Sequence, residues 1–147
     1  MKALFINGSP VYLSYPTGQL HSFVERLVFP LNTYEADENG NHVSVREKLV
    51  PTAVIFTMNC PEQLMKKFNY PLLLGETGKN LELVFHYNEI LYSCDTYQFN
   101  DYSRYNANMF DETKKREHRD KQFPVDLENA FQLGRRLVEK AGENATA

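Results

Sequence analysis

The side chains able to carry chemistry are few here, and their spacing restricts what that chemistry can be. Cys60 precedes Pro61 and a helical pattern, a position where a helix N-terminus can lower a thiol pKa. No histidine lies near it in sequence, which argues against a catalytic thiol. Cys94 closes an apolar run and reads as a small core residue. Two cysteines cannot supply a disulfide framework, a four-cysteine zinc site or an iron–sulfur cluster. His21, His42, His86 and His118 fall far apart on different predicted elements, with no H-E-x-x-H spacing, so no metal site is expected. Ser9 and Ser14 lack the G-x-S-x-G elbow of a nucleophilic serine. No G-x-x-x-x-G-K-[ST] loop exists, and Gly75-Glu76-Thr77-Gly78 reads as a turn. Glu25-Arg26 and Arg135-Arg136 read as solvated helix surface. None of these patterns is a specific catalytic signal.

The elements that must position any site alternate between buried strands and amphipathic helices. Lys2 to Asn7 reads as a buried strand ending in the turn signal Asn7-Gly8-Ser9-Pro10. Thr17 is an N-cap, and Leu20, Phe23, Val24, Leu27 and Val28 follow at helical spacing until Pro30. Tyr34 to Lys48 is a loop or small hairpin around Asn39-Gly40. Ala53 to Thr57 is a second buried strand, rich in β-branched and aromatic residues. Asn59 or Cys60 caps the next helix, with Pro61 at its first position and Leu64, Met65 and Phe68 on one face. After a break at Pro71, Leu81, Val84 and Phe85 mark another helix. Glu89 to Cys94 is a third strand, and Asp95 to Phe110 an irregular, tyrosine-rich loop. Pro124 opens a last helix with the apolar stripe Leu127, Ala130, Phe131, Gly134, Leu137 and Val138. This order predicts an α/β sandwich on a parallel sheet, in a single domain spanning residues 1–147. In such sheets ligands sit beyond the carboxyl ends of the strands. The loops after Ile6, Thr57 and Cys94 are therefore the ones to watch.

The string GSPVYLSYPTGQLHSFVERL, from Gly8 to Leu27, resembles the loop and helix after a central strand in flavodoxin-like NAD(P)H-dependent FMN reductases, a group that includes the iron–sulfur flavoproteins. DTYQFNDYSRY and QFPVDLENAFQLGRRLVE resemble the closing segments of the same family. The resemblance implies a flavodoxin-like three-layer sandwich. It places Ser9, Pro10, Val11 and Tyr12 along the isoalloxazine ring of FMN and Thr57, Met58, Asn59 and Cys60 on the ring's other side. KALFINGSP resembles the family's first strand, yet VYLSYPTGQ belongs to the loop of a later one. Two helices and two strands, including the loop that holds the FMN phosphate, are missing between Pro10 and Val11, and so is the cysteine cluster of the iron–sulfur members. The fold is thus expected to be incomplete relative to the family.

A chain of 147 residues supports one core. Its formal net charge of −3 argues against a nucleic-acid binder. Glu112 to Lys121 is locally basic and reads as a solvated, ion-paired helical face. No apolar run is long enough to span a membrane, and neither a signal peptide nor a disulfide pattern is present, which predicts a cytoplasmic protein. By resemblance the expected function is an NAD(P)H-dependent FMN oxidoreductase, passing hydride through bound FMN to a small-molecule acceptor. The alternative is a flavin-free remnant of the fold acting as a binding or assembly module. A homodimer is expected, with Tyr34–Lys48 and Tyr97–Phe110 as its contact surface.

Overall fold

A computed structural model describes residues 4–8, 17–46 and 48–143. Ser9, Pro10, Val11 and Tyr12 lie outside the described residues. The strands form where β-branched and aromatic residues run together: β1 (Leu4–Gly8), β4 (Thr52–Thr57) and β5 (Asn88–Ser93) make a parallel sheet in the order β1-β4-β5. Leu4 stands opposite Thr52 and Gly8 opposite Phe56, while Thr52 faces Asn88 and Thr57 faces Ser93. Between β1 and β4 come helix α1 (Gly18–Val28) and an antiparallel hairpin of β2 (Asn32–Ala36) and β3 (His42–Ser44). The hairpin turn is held by the Asp37 carboxylate, which accepts from the Asn39 and Asn41 amides at 2.9 and 2.7 Å, with Gly40 at φ +81°. Helices α2 (Glu62–Lys67) and α3 (Tyr70–Phe85) join β4 to β5, and α4 (Glu112–Glu143) closes the chain.

Alternation along β4 sorts the core into two faces. Val54 and Phe56 pack with Leu20, Val24 and Val28 of α1, Met65 of α2, and Leu74, Leu81, Val84 and Phe85 of α3. Ala53 packs under Leu133 and Leu137 of α4, flanked by Ile55, Tyr87 and Leu91. Helices therefore cover both sides of the sheet, the expected α/β arrangement. Thr17 caps α1 as its sequence position requires: its hydroxyl accepts from the Leu20 amide at 3.3 Å.

Several local expectations are corrected. Pro61 is the N-cap of α2, and neither Asn59 nor Cys60 caps it. Of that helix's apolar residues only Met65 is buried; Leu64 and Phe68 are exposed, as is Phe23 on α1. Pro71 does not break a helix but sits in the first turn of α3, where its missing N–H has no partner to lose. Gly75 to Gly78 is helical rather than a turn, for a packing reason. A Cβ on Gly78 would stand 2.5 Å from Asn88 Oδ1 and 2.7 Å from Ile90 Cδ1, so the missing side chain lets α3 close onto β5. Pro124 does not open the last helix; α4 starts twelve residues earlier, at Glu112, and carries Pro124 inside it. Of the expected stripe on α4, Leu137 is buried, while Leu127, Phe131 and Val138 are exposed.

Candidate functional site at the carboxyl ends of the strands

The loops leaving β4 and β5 are fastened together by their own backbones. The Met58 amide donates to the Ser93 carbonyl at 2.9 Å, Thr96 donates to Met58 at 3.0 Å, and Asp95 donates to Cys60 at 3.0 Å. Asp95 takes a left-handed conformation, φ +56°, that short polar residues tolerate. That geometry turns its carboxylate toward the first turns of α4.

There it meets Lys115, which is 7% exposed and is the buried exception on Glu112–Lys121, a stretch otherwise exposed or half-exposed and ion-paired as expected. The ammonium donates to the Asn59 carbonyl at 2.9 Å and also to Asn59 Oδ1 and Asp95 Oδ1. It lies 5.3 Å from the Phe110 ring centre, which faces a desolvated cation with π-electron density. One turn on, His118 Nδ1 sits 3.7 Å from the second Asp95 oxygen, and its Nε2 is buried without a hydrogen-bond partner. Farther along α4, Asp126 accepts from the Ser93 hydroxyl at 2.5 Å and from Gln122 at 2.8 Å. Ser93, Asp95, His118, Gln122 and Asp126 line a cavity of about 120 Å³ that also touches Thr57, Tyr97 and Arg119, with Lys115 outside its lining. Asp95, His118, Gln122 and Asp126 are shared with a groove of about 750 Å³ running past Met65 and Tyr92 along β5.

The residues read from the sequence fall unevenly around this cluster. Thr57 lines the cavity. Asn59 uses its oxygens on Lys115 and its amide nitrogen on Gln98, at 3.0 Å. Met58 is buried in the core, and both its backbone polar groups are engaged. Cys60 is partly buried, and burial pushes its thiol up, against the nearby Lys115 charge and with that of Asp95. The shift is opposite to the one a helix N-terminus can give, and agrees with the reading that Cys60 is no catalytic thiol. Burial likewise drives Cys94 up to about 11, so neither sulfur is a thiolate at neutral pH. Asp95, Lys115 and Asp126 were not singled out by sequence, and His118 was weighed only as a metal ligand. Their one signal was position, just after a strand and at i, i+3 on a helix.

Elsewhere, an apolar depression of about 690 Å³ between α1 and α3 is lined by helix residues such as Val24, Val28 and Thr77 rather than strand ends. The tyrosine-rich loop spends its rings on itself: Phe99 stacks on Tyr105 at 4.2 Å and meets Tyr102 at 5.1 Å, while Tyr97 lies 5.0 Å from Tyr102. Among the described residues no group of three His, Cys, Asp or Glu could hold a metal, and no helix is long and apolar enough to cross a membrane. No protein-family profile, curated protein or solved structure matches this chain.

Proposed function

We propose that this chain is an NAD(P)H-dependent oxidoreductase of the flavodoxin-like FMN reductase type, taking the flavin ring at the carboxyl ends of β1 and β4. One observation carries the reading. Gly8, from which Ser9-Pro10-Val11-Tyr12 departs, is paired with Phe56, from which Thr57-Met58-Asn59-Cys60 departs. Two segments chosen from a resemblance as the two sides of one ring thus leave adjacent parallel strands in register, at the edge where open α/β sheets bind ligands. The described residues give more support to the ring than to the phosphate. Thr57 and the Asn59–Gln98 amide pair offer a polar rim of the kind a carbonyl and imide edge needs. The Lys115 charge is already satisfied by Asp95, and Arg119 lies over the Tyr97 ring at 5.6 Å.

When bound, FMN supplies the hydride chemistry, accepting from NAD(P)H and passing to a small acceptor. The protein's part is to stack, to hydrogen-bond the ring edge and to exclude water. Titration of FMN with the protein is expected to quench flavin fluorescence saturably. Tyr12→Ala is expected to weaken that binding by roughly 1–3 kcal/mol, the worth of one aromatic stacking contact, while leaving the melting temperature in place. Unquenched FMN at high protein concentration defeats the reading. It would favour the second one, a flavin-free binding or assembly module, for which the spent charge of Lys115 already speaks.

A further inference from the structure

We infer that the outer flank of α4, in place of the Tyr34–Lys48 and Tyr97–Phe110 surface expected from the sequence, is the homodimer interface, pairing antiparallel with α4 of a second copy about a two-fold axis near Phe131. The inference does not rest on flavin binding. Phe123, Leu127, Phe131 and Val138 are 48%, 55%, 62% and 47% exposed. At 100° per residue they fall on one flank of the helix, together with Ala130 and Gly134, over about 22 Å. Ala130, Phe131, Gly134 and Val138 line a groove of about 430 Å³ there. Apolar side chains exposed together along one flank mark an interaction surface more readily than the same residues scattered singly.

The fold leaves this flank open for a definite reason. The sheet contacts of α4 centre on β4 and β5 through Leu133 and Leu137, and Arg136 on the opposite flank is tied to Glu89 of β5 at 2.7 Å. The stripe therefore looks toward the β1 side, where among the described residues no second helix shares the layer with α4. The outer edge of β1 is also unpaired among those residues.

The occupant follows from the stripe's own sequence, which is complementary to itself in reverse. An antiparallel pairing centred between Ala130 and Phe131 sets Phe123 against Val138 of the second copy and Leu127 against its Gly134, large against small. Phe131 meets its counterpart beside Ala130. The same register brings Glu128 within two residues, about 3 Å along the axis, of Arg135 of the other copy, twice by symmetry and within reach of these long side chains, on the flank where antiparallel helices bring like positions together. Within one chain these two groups make only exposed, weak contacts, Glu128 with Gln132 and Arg135 with Glu139. Both are free to exchange them. Because the stripe lies on the β1 side, the same axis turns the two open β1 edges toward each other, the cover that an unpaired edge requires.

Sedimentation equilibrium on the full chain tests this. The wild type is expected to be a dimer at micromolar concentration, and Phe131→Glu to weaken association roughly tenfold or more without lowering the melting temperature of the monomer. Glu128→Arg and Arg135→Glu are each expected to weaken the dimer, and the double exchange to restore most of it. A monomeric wild type overturns the proposal, since the stripe then awaits a different partner. So does a monomer whose melting temperature falls on Phe131→Glu, because the stripe would then be covered by its own chain. Failure of the double exchange to restore association overturns the antiparallel register.

Discussion

Lys115 shows what a single buried charge can fix. Its ammonium ties the loop after β4, through Asn59, to the loop after β5, through Asp95, and both to the start of α4. Removing one partner of such a pair costs more than the pair is worth, because the other is left buried and uncompensated. Lys115→Met is expected to lower unfolding stability by about 3 kcal/mol, the low end for buried pairs, since Asp95 keeps some access to water. Asp95→Asn keeps a residue suited to the left-handed backbone, so the double variant is expected to recover a good part of that loss in a urea-denaturation cycle. The sequence concealed this cluster. Lysine, histidine and aspartate on a charged helix look like solvent-facing residues, and only the αL turn at Asp95 makes them face inward. Thr57 and Asn59, by contrast, were legible, because their place follows from where a buried strand ends.

Helices and strands were read well wherever periodicity set them and poorly wherever proline or glycine was taken for punctuation. The three sheet strands emerge within a residue or two of their apolar runs. Pro124 and the Gly75–Gly78 pair misled because tertiary packing overrode a local preference. In α4 the helix continues through a proline that costs it one backbone hydrogen bond, held on both sides by Lys115 and by Leu133 and Leu137. In α3 the two glycines have opposite meanings. Gly78→Ala drives a methyl into Asn88, whose amide is itself bound to the Thr52 hydroxyl at 2.8 Å, and into Ile90. It is expected to destabilise by roughly 1–3 kcal/mol. Gly75→Ala meets nothing within 4 Å and is expected to stabilise by about 0.5–1 kcal/mol. Thermal melts of the two variants read both signs in one experiment.

At the scale of the molecule, one face of the sheet carries three helices and the other α4 alone among the described residues, so the covering of that face depends on how α4 is attached. At its far end the attachment is Arg136 on Glu89, assisted by the Tyr87 hydroxyl at 2.8 Å. Burial alone would push the Glu89 carboxyl up, but the hydrogen bonds from Arg136 and Tyr87 and the Arg136 charge outweigh it and hold the group below the usual glutamate range. A carboxyl depressed in the folded state adds stability above its unfolded pKa, about 4.3, and loses it as the pH falls through the lower folded value. The stability difference between wild type and Arg136→Met is therefore expected to be full at neutral pH. It should shrink as the pH drops below about 4, read from urea midpoints across a pH series. A difference that persists unchanged into acid would assign the role of Arg136 to its aliphatic stem rather than its charge.

At 32 residues α4 is about 48 Å long, whereas the six-residue strands beneath it span about 20 Å. It is a lever resting on Leu133. Lys115 lies eighteen residues away, about 27 Å along the axis, so a tilt of about ten degrees at the fulcrum sweeps that end through about 5 Å. Phe131, two residues from Leu133, sits almost on the fulcrum and has little leverage, whereas the Lys115–His118 end has all of it, and the latch that holds that end is the ammonium bound by Asp95 and Asn59.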